Sequence, residues 1–87
     1  MALPRALIVH DEPGQAGSLA NELAGQGFRV DVVDSGLAAI RQVWEERYER
    51  VLVDARLRGM HAFALVRHLG ELAPDTEITL IDRAEAA

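Results

Sequence analysis

The sequence predicts an α/β domain with a parallel sheet and helices on both faces. Short apolar runs alternate with segments of helical period in the order β-α-β-α-β-α-β, and no hairpin dipeptide joins any two of the runs. Strands joined through helices cross over in the right-handed sense and pair in parallel. Several of the runs are also apolar without a break, as strands buried on both faces are.

Each element follows in turn. Ala6-Leu-Ile-Val9 is the first strand, running into His10-Asp11-Glu12, and Pro13 and Gly14 are expected to break it. From Gln15 to Gln26 the apolar residues Ala16, Leu19, Ala20 and Leu23 fall at helical spacing, and Gly25 and Gly27 bracket the end. Phe28 to Val33 alternates apolar with polar, which predicts a half-exposed strand near a sheet edge. Ser35 offers an N-cap to a second helix, whose apolar face runs through Leu37, Ile40, Val43 and Trp44 to about Tyr48. Arg50–Asp54 is a third strand ending on a carboxylate, and Ala55 to Met60 a loop. Ala62, Leu65, Val66 and Leu69 mark a third helix closed by Pro74, and Ile78 to Ile81 a fourth strand. Trp44 and Phe63 read as packing residues of their helices.

Bulk properties narrow the function classes. With 87 residues and 49% hydrophobic content, residues 1–87 are expected to form one domain. A chain of this size buries only about 60–65% of its unfolded surface, and without cysteine it has neither disulfides nor thiolate metal sites in support. The net charge is −5 and every basic residue is arginine. That balance argues against nucleic acid, whose binding is driven by clustered cations. The first apolar run leads directly into acids and no stretch approaches membrane-span length, so the cytoplasm is the expected location, without a membrane partner.

In open parallel sheets ligands bind beyond the carboxyl ends of the strands, where the strand order reverses. His10-Asp11-Glu12 ends strand one and Asp54 ends strand three, so these groups converge if the two strands are neighbours. Converging carboxylates suit a hard divalent cation such as Mg²⁺, and a carboxylate can also act as a nucleophile towards a phosphoryl group. Asp11 and Glu12 also read as loop acids stabilising the amino end of the first helix. His10, His61 and His68 share no ligand spacing with a second group, and zinc is not expected.

Leu7-Ile-Val-His-Asp-Glu-Pro13 resembles the first strand of response-regulator receiver domains. Tyr48-Glu-Arg-Val-Leu-Val-Asp-Ala-Arg-Leu-Arg-Gly-Met60 is similar to their third strand and following loop, with Gly27-Phe28, Ser35-Gly36 and Pro74 also in place. The resemblance implies a flavodoxin-like fold with strand order beginning 2-1-3-4. It implies that Asp54 accepts phosphate from a histidine kinase, a phosphotransfer protein or a small phosphodonor. It further implies Mg²⁺ held by Asp11, Asp54 and the backbone carbonyl of Arg56.

The sequence departs from this family at several positions. His10 replaces an acid, Asp82 stands where the family has Thr or Ser, Arg58 where it has Pro, and Ala62 where it has Gly. The family continues through a fourth helix, a fifth strand and a fifth helix and carries a lysine after strand five, whereas this sequence ends after strand four and has no lysine. On this reading strand four is a bare edge and helix one an uncovered apolar face, which predicts a homodimer through either. Equally, the sequence fits as a piece of a longer regulator.

Two functions therefore stand side by side: a phosphoacceptor receiver, and a pseudo-receiver that docks or dimerises without phosphate. A third, a flavodoxin-like cofactor binder or Asp-dependent phosphohydrolase, conflicts with the acids after strand one and with the absence of a second acid beside Asp54. None of the first two readings makes the domain an enzyme.

Overall fold

The computed structural model describes residues 2–82. Its elements are β1 (Arg5–Val9), α1 (Pro13–Gly25), β2 (Arg29–Val33), α2 (Gly36–Glu45), β3 (Arg50–Asp54), α3 (Ala62–Leu72) and β4 (Glu77–Ile81). The strands form one sheet in the order β2-β1-β3-β4, and all three pairings are parallel. This is the flavodoxin-like order, with helices on both faces and four strands among the described residues.

Alternation along the central strands divides the core. Leu7 and Val9 of β1 and Val51 and Val53 of β3 face α2 and α3, packing with Ala39, Leu65 and Leu69. Ala6 and Ile8 point the other way, against Leu19 and Leu23 of α1. Both sets are buried, which is why these strands are apolar throughout. The edge strand β2 is exposed or half-buried throughout, as expected of an edge, but its alternation is not kept: Val32 is exposed, while Asp31 is half-buried where it meets Arg5 and Tyr48.

Local chemistry sets the helix ends. The Ser35 hydroxyl accepts the Ala38 N–H at 3.1 Å and caps α2. Pro13 opens α1, two residues before the expected start at Gln15, because the first helical position has no intrahelical use for an N–H. α2 stops at Glu45, and Tyr48 turns inward to become a core residue. Gly27 adopts φ 97°, the left-handed conformation expected after α1.

Three sequence expectations are corrected. Trp44 and Phe63 are 76% and 69% exposed and are not packing residues. The inner face of α2 runs through Gly36, Ala39, Ile40 and Val43, so Trp44, one residue or about 100° further round, points outward. Phe63 follows buried Ala62 in the same way, and Leu37 is exposed as well. The third correction concerns α1: no large exposed hydrophobic residue lies on it, because its outer positions are small or polar.

Candidate functional site

The β1 and β3 strands are neighbours, and both end at the same edge of the sheet. β1 runs through Val9 into His10, whose backbone N–H donates to the Val33 carbonyl at 3.0 Å and prolongs the ladder. Asp54 is the last residue of β3 and pairs in register with Ile81 of β4. The helices leaving β1 and β3 lie on opposite faces of the sheet, so this is the switch point at which doubly wound sheets bind ligands.

Among the described residues, the buried polar or charged side chains outside the tyrosine are His10 and Asp54, 3% and 6% exposed. One ligand atom from each of His10, Asp11 and Asp54 falls within a group no wider than 4.8 Å. An Asp/His cluster able to hold a divalent cation is therefore present. His10 thus meets Asp54 across the neighbouring strands β1 and β3, as the convergence of the strand ends predicts. Among the described residues, neither His61 nor His68 belongs to such a group.

His10 is held at both nitrogens. Its Nδ1 accepts the Glu12 backbone N–H at 3.0 Å, which places the proton of the neutral ring on Nε2. Nε2 then donates to Gln15 Oε1 at 3.1 Å and stands 3.7 Å from Asp54 Oδ2, beyond hydrogen-bond length. With its available lone pair already used, His10 borders the cluster as a donor. The two carboxylates, hard oxygen donors, are the members whose chemistry suits Mg²⁺.

The remaining acids separate. Glu12 is the N-cap of α1 and its Oε1 accepts the Gly14 N–H at 3.4 Å, the helix-end role read from sequence. Asp11 Oδ2 accepts the Arg58 backbone N–H at 2.9 Å and lies 3.3 Å from the Arg58 Nε. That amide bond is the main reason the Asp11 carboxyl titrates below its ordinary value, with the guanidinium and His10 adding to the effect against a smaller opposition from burial. Asp82 lies just past β4 with Oδ1 3.5 Å from Arg56 Nε, both side chains being largely exposed.

A cleft of about 270 Å³ opens over this edge, bordered by His10, Asp11, Glu12, Gln15, Asp54, Arg56 and Arg58. Gln15 and the Arg58 amide are the members sequence reasoning missed. Gln15 carried a weak signal, lying in the first turn of a helix that starts at the strand end. The Arg58 amide carried none beyond the absence of proline at that position.

A parallel sheet in this order, with a buried Asp/His cluster at its switch point, defines a domain of the receiver type. The model of the response regulator receiver domain matches residues 6–86, and the chain belongs to that family. Receiver domains are signalling modules phosphorylated by a partner kinase, not enzymes in their own right. Among curated proteins it is 38% identical over 65 residues to the DNA-binding response regulator MtrA of Mycolicibacterium smegmatis, covering 75% of this chain and 28% of that protein. It is 31% identical over 77 residues to the transcriptional regulatory protein CutR of Streptomyces coelicolor, covering 88% and 36% respectively. The chain thus spans well under half the length of these relatives.

Among solved structures, a response regulator protein from Burkholderia pseudomallei with a phosphorylated aspartic acid, calcium ion and citrate superposes with a TM-score of 0.85 at 26% identity, over 92% of this chain and 47% of that one. The CheY-like receiver domain from Methylobacillus flagellatus superposes with a TM-score of 0.87 at 29% identity, over 98% and 74%.

Proposed function

We propose that Asp54 is a phosphoacceptor in two-component signal transduction and that residues 1–87 act as one receiver unit. The observation carrying this reading is the burial of Asp54 at the carboxyl end of β3, with Asp11 and His10 beside it under an open cleft. A carboxylate oxygen of Asp54 attacks the phosphorus of a histidine kinase, a phosphotransfer protein or a small phosphodonor. One O–P bond forms as the bond to the donor's nitrogen or oxygen breaks, and the donor group leaves with the electron pair. Asp11 and Asp54, with the Arg56 carbonyl, would hold Mg²⁺, which when bound neutralises charge on the transferring oxygens. His10 Nε2–H, already directed at this edge, offers a donor to a phosphoryl oxygen where the family has an acid.

A pseudo-receiver is the second reading, supported by Asp82, a carboxylate where the family carries a hydroxyl. In that case the domain docks or dimerises without phosphate. The edge of β4, which has no partner strand among the described residues, is the surface we assign to a homodimer, in preference to α1, whose outer face carries no large apolar residue. The charge of −5 speaks against nucleic acid as a partner of this domain. No described helix is long and apolar enough to cross a membrane, and a cytoplasmic location is part of the proposal.

Titration of ¹⁵N-labelled protein with Mg²⁺ and then beryllofluoride, an acyl-phosphate mimic, tests the first reading. Shifts of the His10, Asp11, Asp54 and Ala55 amides, absent in Asp54→Asn, are expected. A spectrum unmoved by both reagents leaves the docking module.

A further inference from the structure

The tie between Asp11 and Arg58 joins two loops that are 47 residues apart in sequence. Both donors of Arg58 reach the same oxygen, Oδ2, the amide at 2.9 Å and Nε at 3.3 Å. The amide donor exists because residue 58 is not proline, which has no N–H. Arg56, two residues earlier in the same loop, directs its Nε to Asp82 instead. The loop thus carries two guanidinium groups, and only one of them is placed on the carboxylate of the cluster.

A cation arriving at Asp11 meets a carboxylate already neutralised in part and a positive charge a few ångströms away. Oδ1 is left for the ion, but the guanidinium repels it and the amide withdraws charge from the oxygen both would share. The Arg58 side chain is 84% exposed, so it can swing into solvent at little cost, whereas releasing the amide requires the loop itself to move.

From this geometry we infer that Arg58 is an internal counter-ion that competes with a divalent cation for Asp11, coupling metal uptake to the position of the β3–α3 loop. The inference rests on the reading of Asp11 as a metal ligand. Linkage makes the coupling reciprocal: whatever factor the Arg58 tie takes from metal affinity, metal takes from the tie.

The test uses the full chain and Mg²⁺ alone, followed by calorimetry and by hydrogen exchange of the Arg58 amide. Without metal, that amide is expected to exchange slowly in the wild type and faster in Asp11→Ala. Mg²⁺ is expected to shift its resonance and speed its exchange. Arg58→Pro, which removes both donors, is expected to bind Mg²⁺ about three- to tenfold more tightly, the scale of a lost hydrogen bond. Arg58→Ala, which keeps the amide and is the milder change for folding, is expected to show part of that gain. Arg67→Ala removes the same charge from an exposed position of α3, outside the residues that border the cleft, and is expected to change affinity less than about twofold.

Equal tightening in Arg67→Ala and Arg58→Ala would reduce the effect to general charge and overturn the inference. Wild-type affinity in both Arg58 variants would overturn it too, while leaving the metal site standing. No Mg²⁺ binding to any variant would remove the metal site itself, and the competition with it.

Discussion

The Nδ1 atom of His10 accepts the backbone N–H of Glu12 at 3.0 Å, so a residue at the end of β1 orients itself on the N-cap of the helix that follows. The bond fixes the ring with Nε2–H towards Gln15 and Asp54. Long-range ¹H–¹⁵N spectra at mildly alkaline pH are expected to show Nδ1 as the unprotonated nitrogen. His10→Ala removes a buried ring and leaves the Glu12 N–H and Gln15, part-buried against it, without this partner. It is expected to cost about 1–3 kcal/mol in urea denaturation. A protonated Nδ1, or an unchanged midpoint, would contradict the arrangement.

Asp11 links stability to acid. Its carboxyl titrates below the ordinary 3.8, chiefly through the Arg58 amide. Folding therefore favours the ionised form, and the contribution is complete above the ordinary carboxylate range and lost as pH falls through the depressed value. Asp31 is depressed as well, by Tyr48 and Arg5, so a wild-type curve alone mixes the two. Subtracting the curve of Asp11→Asn isolates Asp11, and the difference is expected to shrink towards zero below about pH 4. A difference independent of pH would contradict the tie.

Tyr48 reports the opposite, alkaline limit. Its hydroxyl donates to Asp31 at 2.7 Å and accepts from Gln42 at 2.9 Å. Burial, then the Asp31 carboxylate, pushes the phenol up to about 12. Folding here favours the neutral form, so its contribution is present below the unfolded value of about 10 and lost as pH rises towards 12. As the chain has one tyrosine, phenolate absorbance reads this group alone and is expected to appear two pH units or so late, or together with unfolding. Tyr48→Phe is expected to cost about 1–2 kcal/mol.

The packing account is checked by a contrast within the helices. Leu65, fully buried in α3, is expected to cost about 2–5 kcal/mol when replaced by alanine. Trp44→Ala and Phe63→Ala remove larger side chains yet are expected to shift stability by no more than about 0.5 kcal/mol. A large loss at Trp44 would mean that the inner face of α2 is misassigned.

Most of the architecture was legible because period and burial coincide. The unbroken apolar runs of β1 and β3 mark buried central strands, the alternation in β2 marks an edge, and Arg50–Asp54 is delimited to the residue. Helix faces were harder. Val43 and Trp44 are adjacent and both apolar, and only the sheet decides which one turns inward. At the site, the acids at the strand ends were legible because topology alone brings Asp11 and Asp54 together. The bonds that tune them were not, since a backbone N–H such as that of Arg58 leaves no trace in sequence. The two nitrogens of His10 likewise take partners fixed only by the turn into α1.

The central claim, that Asp54 accepts phosphate, is tested most directly by intact-mass spectrometry after incubation with acetyl phosphate and Mg²⁺. The account predicts a gain of one phosphoryl group in the wild type and none in Asp54→Asn. No gain in folded wild-type protein, or an equal gain in Asp54→Asn, would contradict it.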